Sequence, residues 1–189
     1  MFYNSLLNKV VSRMNNRPML KYVYQNPENG EWVASDGHIM LIEHNEAIPM
    51  FKFWNPETGN PVDEKLQYLD YEFALKGIQA QIKGKFTGKI SRVSDNLSKL
   101  GDIYVDSDLL DIALDFVGPE HTINVPDTAG YGIYVHNADK SRQALVVSIN
   151  PKESYRVLDL DGETIFKFDT YKQARDFALS MGNDFIVRK

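Results

Sequence analysis

Two Asp-Gly pairs between apolar runs restrict the fold of this chain more than any other feature. Asp36-Gly37 separates EWVAS from HIMLIEH, and Asp161-Gly162 separates YRVLDL from ETIFKF. Both residue types tolerate positive φ, so an Asp-Gly pair in this setting predicts a tight β-hairpin. The chain is therefore expected to contain antiparallel sheet near both of its ends.

The first of these pairs also belongs to a group of residues that chemistry could use. His38 follows Gly37, and Glu43 and His44 lie a few residues downstream. On one strand the two histidines would face the same side but stand roughly 20 Å apart, at ~3.3 Å per residue. A single metal ion cannot span that distance. We interpret Asp36 and Gly37 as turn residues and expect no metal, no cofactor and no catalytic residues.

The composition narrows the class of protein. The 189 residues include no cysteine, which excludes disulfides, thiolate zinc sites and a cysteine nucleophile. The N-terminal residues lack the order of a signal peptide, and no apolar run approaches the ~20 residues of a membrane span. We expect a cytosolic protein that does not contact a membrane. The net charge of -5 argues against wholesale coating of nucleic acid but leaves room for a local basic face.

Two amphipathic helices are predicted in the first 151 residues, each followed by strands. The first is expected over Ser5 to Asn16, and the second begins at Asp106 or Ser107 and ends at Gly118-Pro119. Their apolar stripes at helical spacing are Leu6, Leu7, Val10, Val11 and Met14 in the first and Leu109, Leu110, Ala113, Leu114 and Val117 in the second. The second helix carries several aspartates, which we interpret as dipole-favoured and solvent-facing rather than catalytic.

The last residues form a separate pattern. Residues 152–189 predict a small ββαβ unit, with the Asp161-Gly162 hairpin followed by a helix that a Thr170/Gln173 capping box would start. A unit of about forty residues is near the lower limit for independent folding. We therefore expect it to pack on the main body.

A basic stretch lies between these regions. Residues 76–99 contain Lys83, Lys85 and Lys89 among other cations, against a single acid, Asp95. Ile78, Ala80 and Ile82 alternate, which favours a strand. GKFTGK lacks the spacing of a phosphate-binding loop. Two interpretations stay open: the cations contact a nucleic-acid backbone, or they protect a strand edge from aggregation.

Aromatic residues are concentrated just before a turn. Phe51, Phe53 and Trp54 precede NPETGNP, a turn sequence. If Phe51 and Trp54 are exposed, they form a patch on which a partner could dock. A hairpin that covers the core is the alternative, because aromatic side chains are mostly buried.

The order of helix, strands, helix and strands resembles a domain of the bacterial DNA sliding clamp, the β subunit of the replicative polymerase. That family carries a motif like A-T-D-G-H-R-L, and Ala34-Ser35-Asp36-Gly37-His38 matches it, with Ile39-Met40 in place of Arg-Leu. The later segment from Asp102 to Pro151 resembles the second half of such a domain. The resemblance implies an α+β, clamp-like domain with antiparallel sheets over residues 1–151, with an insertion around 47–100.

The resemblance implies a non-catalytic protein of DNA replication or repair, in a phage or mobile element. The family encircles duplex DNA with six domains, so a single-domain chain would need a homo-oligomer. Backbone contacts without sequence specificity would come from Lys9, Arg13, Arg17, Lys83, Lys85 and Lys89. The alternative is a clamp-fold protein-interaction module without DNA binding, which the acidic second helix and the net charge favour. Replication or repair proteins are the expected partners, and no nucleophile–base pair supports an enzyme.

Overall fold

The chain folds as a mixed α+β protein in which every strand pairing of the described residues is antiparallel. In this computed structural model the described residues are 4–11, 17–45, 52–62, 66, 70–126, 131–150, 155–158, 164–168, 171–181 and 186–188. The α+β class and the antiparallel sheets confirm the coarse prediction.

The helices and strands have the following bounds. Two 3-10 helices cover Ser5–Lys9 and Pro18–Lys21, and the α-helices are α1 (Tyr71–Gln81), α2 (Ser107–Val117) and α3 (Tyr171–Met181). The first strands are β1 (Val23–Gln25), β2 (Glu31–Ser35), β3 (Ile39–His44), β4 (Phe53–Trp54), β5 (Pro61–Val62), β6 (Ile82–Lys85), β7 (Ser91–Ser94) and β8 (Leu97–Leu100). The others are β9 (Ile103–Asp106), β10 (His121–Pro126), β11 (Ile133–Asn137), β12 (Arg142–Val146), β13 (Ser148–Ile149), β14 (Tyr155–Leu158), β15 (Thr164–Phe168) and β16 (Ile186–Arg188).

A nine-stranded sheet organises the molecule, in the order β5-β4-β1-β2-β3-β12-β11-β10-β6. Its centre consists of two three-stranded meanders, β1-β2-β3 and β10-β11-β12, which join where β3 pairs with β12 from Ile39↔Val146 to Glu43↔Arg142. A helix precedes each meander in the chain. The two halves of the central sheet are thus built alike and meet at their last strands.

Alternation along the strands gives this sheet two apolar faces. On one face Trp32, Ala34 and Leu41 pack in a large core with α2 and the smaller sheet β13-β9-β8-β7. On the other face Tyr24 and Val33 pack with Tyr71 of α1 in a second core. The sheet is therefore covered on both sides.

The predicted insertion around 47–100 is built into the sheets. The β4-β5 hairpin extends one edge of the large sheet through β1, and β6 extends the opposite edge through β10. The β7-β8 hairpin pairs with β9 in the smaller sheet. This stretch accordingly contributes both edges of the large sheet.

The prediction of an α-helix from Ser5 was wrong over the described residues. The chain forms a 3-10 helix, Ser5–Lys9, in which Val10 donates to the Leu7 carbonyl. In 3-10 geometry residues three apart share a side. Leu7 and Val10 are both buried, so this spacing satisfies the core. Residues 12–16 of the predicted helix lie outside the described residues.

The strand predicted around Ile78, Ala80 and Ile82 was also wrong, because residues 71–81 form α1. The Asp70 carboxylate accepts a hydrogen bond from the Phe73 N–H and starts the helix. Burial follows helical spacing, with Tyr71 inside and its neighbours one turn on half-buried. The strand β6 begins only at Ile82.

The predictions for α2 and for the C-terminal unit, which comprises β14, β15, α3 and β16, are confirmed in their element types. Asp106 caps α2 by accepting from the Asp108 and Leu109 N–H groups, and Gly118 ends the helix at a φ of 94°. The C-terminal unit forms the sheet β15-β14-β16 against α3. Tyr155, Val157 and Tyr171 join the large core, so the unit packs on the main body as expected.

Candidate functional site

An open apolar cavity of about 380 Å³ lies on the α1 side of the large sheet. Its size falls at the small end of the range for ligand pockets. Most of its lining side chains are apolar, with Arg17 and Asp70 as the charged exceptions. The lining residues are Arg17, Met19, Leu20, Ser35, Gly37, His38, Ile39, Met40, Asp70, Ala74, Ile78, Leu145 and Val147.

The floor and one wall of the cavity follow from sheet and helix geometry. Met40 and Leu145 are directly paired across β3 and β12, so their side chains lie side by side on one face. Ala74 and Ile78 are four residues apart and share one face of α1. Gly132 allows the helix to approach, since a Cβ there would lie 3.3 Å from the Ile78 Cδ1 atom and 2.6 Å from the Val146 carbonyl oxygen.

The β2–β3 turn, which we call the rim turn (Ser35 to Ile39), borders the cavity. Asp36 N–H donates to the Ile39 carbonyl, so Gly37 and His38 are the two central residues. Asp36-Gly37 had been predicted as the centre. The centre of the turn lies one residue later than predicted. The Asp36 carboxylate accepts from the His38 and Ile39 N–H groups, so Asp36 occupies the first of the four turn positions. Of the two central residues, Gly37 has a positive φ, 93°, and His38 does not.

The rim turn is rigidly held. Ser35 Oγ donates to the Ile39 carbonyl and accepts from the Gly37 N–H, while the Val147 N–H donates to the His38 carbonyl. Ser35 and His38 are not arranged as a nucleophile–base pair. The hydroxyl serves the backbone, and the imidazole lies flat on Tyr171 with ring centroids 3.4 Å apart.

Asp36 is a buried carboxylate at this turn. Burial raises the pKa of Asp36, and the N–H groups of His38 and Ile39 and the charge of Arg175 oppose the increase. The Arg175 guanidinium lies 3.5 Å from the Asp36 carboxylate, whose side chain is 3% exposed. A raised folded-state pKa means that stability contributed by this group is present at low pH and lost as pH rises.

Replacing Asp36 by asparagine should therefore remove a pH dependence of known sign. Asparagine keeps the oxygen that accepts from the His38 and Ile39 N–H groups, but it does not ionise. Relative to the variant, the wild type should lose free energy of unfolding as pH rises from acid to neutral. Urea unfolding of both proteins over this range measures the difference.

Asp139 provides a control with the opposite sign. This carboxylate is exposed, and hydrogen bonds from Ser141 lower its pKa. Relative to Asp139→Asn, the wild type should lose stability as pH falls. A wild type that gains stability over Asp36→Asn with rising pH would mean that the Arg175 charge, and not burial, dominates at Asp36.

The predicted phosphate-contacting residues are placed apart. Exposed Lys9 ends the 3-10 helix that packs on β2, whereas Arg17 lies at the cavity on the opposite face. Lys85 on β6 is exposed five strands from β2, roughly 24 Å away at ~4.8 Å per strand. Lys89 is exposed in the following loop. Arg13 and the Lys83 side chain lie outside the described residues.

The solvent side of α2 is acidic, as its sequence indicates. Asp111 pairs with Arg92, and Asp108 pairs at 2.8 Å with Lys172 of α3. Arg92 and Lys172 thus neutralise two aspartates of this helix, and the C-terminal unit lies against its first turn. This side of the molecule offers no basic helix face for a nucleic-acid backbone among the described residues.

Of the predicted docking aromatics, Trp54 is buried. Its side chain is 5% exposed and packs on Trp32 with ring centroids 5.6 Å apart. The structure matches the alternative interpretation, a hairpin that covers the core. Phe51 lies outside the described residues. Trp54 therefore offers a partner no exposed surface in this conformation.

The cavity itself was not anticipated. Met19 has no role predicted from the sequence, Met40 is distinguished there only as a departure from the clamp motif, and Ala74 and Ile78 depend on recognition of α1. The Asp70 cap followed by apolar residues at 71, 74, 75 and 78 was the available signal. Of the other lining residues, Ser35, Gly37, His38 and Ile39 belong to the segment compared with the clamp motif, and Arg17 was predicted to contact phosphate.

Comparison with known proteins found no matching family model, no matching curated protein and no matching solved structure. Among the described residues, no helix has the length and apolar character needed to cross a membrane. Fold and site together define an antiparallel α+β protein with an apolar cavity beside a rigid turn.

Proposed function

We propose that this protein is a non-catalytic interaction module with a clamp-like domain, and that its cavity binds a short apolar segment of a partner protein. The cavity between the rim turn and α1 is the observation that carries the proposal. A role in DNA replication or repair follows from the clamp resemblance alone.

The size of the cavity suits a few side chains. A cavity of ~150 Å³ accommodates one benzene ring, so about two ring-sized or leucine-sized groups fit here. Burying two such groups gains about 3–6 kcal/mol before the cost of association. A gain of 6 kcal/mol corresponds to a Kd no tighter than about 50 µM, and the cost of association weakens binding toward the millimolar range.

Of the two charged residues at the cavity, Asp70 caps α1 by accepting from the Phe73 N–H, which leaves Arg17 to select the chemistry of the segment. Arg17 is exposed, and its guanidinium lies against Gly37 at the mouth. An acidic residue next to the apolar side chains would meet this cation, and a charge-assisted hydrogen bond there sets orientation. The proposed ligand is therefore a linear peptide with an acid followed by large apolar residues.

The arrangement of the central sheet supports the clamp-like interpretation of residues 1–151. Two helix-plus-meander halves meet through β3 and β12, which is the helix–strands–helix–strands order of the resemblance. The acidic solvent side of α2 favours a protein ligand over DNA for the proposed function.

Methionine methyl groups provide a direct test. Of the six methionines, Met19 and Met40 line the cavity, whereas Met181 is at the end of α3. The protein labelled with 13C-methyl methionine is titrated with a synthetic peptide, Gly-Asp-Leu-Leu-Phe-Gly. The Met19 and Met40 signals should shift with saturation and by more than that of Met181, and a peptide with serine at the three apolar positions should have no effect.

Binding that leaves the Met19 and Met40 signals unchanged, or no binding at all up to millimolar peptide, would reject the cavity as a site for such segments. Assignments come from Met19→Leu and Met40→Leu, which keep the apolar volume.

A second candidate function is sequence-independent contact with duplex DNA, which the exposure of Lys9, Lys85 and Lys89 favours. Such binding should weaken steeply with salt, because cations release condensed counterions from phosphates. Fluorescence anisotropy with a labelled duplex tests it, with Lys85→Glu/Lys89→Glu as the variant. Salt-insensitive or undetectable binding would remove this candidate, and light scattering at each salt concentration would show whether a homo-oligomer forms.

A further inference from the structure

The rim turn belongs to two interfaces at once. On one side Gly37 and His38 line the cavity. On the other side the same turn contacts α3 of the C-terminal unit, which contributes nothing to the cavity lining. The rim turn therefore connects the two interfaces directly.

The contact with α3 is close and buried. The His38 ring is stacked on the Tyr171 ring at 3.4 Å with an interplanar angle of 8°, and the Tyr155 ring lies 5.8 Å from His38. Tyr171 is 4% exposed. Arg175, one turn along α3, reaches the Asp36 carboxylate. The first turns of α3 thus hold both the acid and the imidazole of the rim turn.

The rim turn transmits such a contact because its backbone is tied together. The Asp36 carboxylate binds the His38 and Ile39 N–H groups, and the His38 carbonyl accepts from the Val147 N–H. Val147 lines the cavity and follows β12. A displacement of the His38 backbone would therefore reach the wall of the cavity on both β3 and β12.

We propose that the C-terminal unit sets the shape of the cavity, with Tyr171 as a positioning residue that acts through His38, so that peptide binding and docking of α3 strengthen one another. This inference rests on the proposed function of the cavity. Coupling between two sites is reciprocal, and its usual size is about 5–150-fold in affinity.

Variants of α3 distinguish positioning of the cavity by Tyr171 from an effect on the stability of the whole protein. Tyr171→Leu removes the aromatic stack, Tyr171→Phe keeps it, and Lys172→Gln removes a neighbouring contact that goes to Asp108 instead of the rim turn. The acid-plus-apolar peptide should bind Tyr171→Leu on the order of 10-fold more weakly than wild type. Tyr171→Phe and Lys172→Gln should bind within about twofold of wild type, whatever their stability.

Reciprocity gives a second measurement on the wild-type protein. Saturating peptide should slow amide hydrogen exchange in α3, a helix outside the cavity lining, and the serine-substituted peptide should not. Equal affinity of wild type and Tyr171→Leu, or an equal loss in Lys172→Gln, would overturn the coupling while leaving the cavity as a binding site.

Failure of the proposed function can be told apart from failure of this inference without any peptide. In the unliganded protein, Tyr171→Leu should shift the Met19 and Met40 methyl signals, and Lys172→Gln should not. If wild type binds no peptide but these shifts appear, the positioning of the cavity by Tyr171 stands and only the ligand class is wrong. If the signals are unchanged in Tyr171→Leu, the inference falls.

Discussion

Replacing Trp54 by alanine should lower the free energy of unfolding by about 3–5 kcal/mol, the usual cost of truncating a buried aromatic side chain. Trp54 is 5% exposed and packs on Trp32, which is fully buried in the large core. The substitution leaves a cavity where β4 extends the sheet and loses the contact between the two rings. Urea unfolding followed by far-UV circular dichroism measures the loss.

Phe73 is the matched control for this experiment. It is an aromatic residue of similar size but is 76% exposed on α1. Phe73→Ala should change the free energy of unfolding by no more than about 0.5 kcal/mol. If Trp54→Ala were as mild as Phe73→Ala, Trp54 would be available to a partner, as the docking interpretation of the sequence required.

Replacing Val147 by aspartate should weaken peptide binding by at least about 10-fold while leaving the fold intact. The Val147 side chain is 36% exposed and lines the mouth of the cavity, so the carboxylate stays hydrated in the free protein. A bound apolar segment would bury that charge without a partner, and a cost above ~1.4 kcal/mol already amounts to tenfold. Methyl-detected titration with the acid-plus-apolar peptide measures the affinity.

Val93→Asp provides the control for an added surface charge. Val93 is 54% exposed on β7, in the smaller sheet. This variant carries the same change in net charge and should bind the peptide as wild type does. Equal losses in both variants would point to long-range repulsion of the acidic peptide, and no loss in Val147→Asp would place the peptide elsewhere.

The parts of the fold that the sequence predicted correctly depend on local signals. The Asp106 cap, the stripe from Leu109 to Val117 and the Gly118 terminus all describe one helix, and α2 follows them. The two hairpins were indicated by turn residues between apolar runs. Where α1 ends and β6 begins, however, Ile78, Ala80 and Ile82 alternate. So short a run fits the period of a helix or of a strand, and tertiary packing determines which one forms.

The cavity could not be predicted in this way because its walls come from distant parts of the chain. Met19, Met40 and Leu145 meet only after β3 has paired with β12 and α1 has packed across the sheet. Likewise, the residues around Tyr171 in the sequence do not predict that its ring stacks on His38. The Asp-Gly pair predicts the rim turn, but the contacts of this turn with Tyr171 and Arg175 form only in the tertiary structure.

The seam between β3 and β12 has a consequence for the order of assembly. The paired segments Ile39–Glu43 and Arg142–Val146 are separated by about a hundred residues, so a ribosome adding ~5–20 residues per second exposes β3 for roughly 5–20 s before β12 emerges. The meander β1-β2-β3 needs only local contacts and can form early. Until β12 emerges, β3 is an apolar edge strand with unpaired N–H and C=O groups. In every newly made chain, the pairing of β3 with β12 therefore competes with the pairing of β3 to a strand of a neighbouring chain.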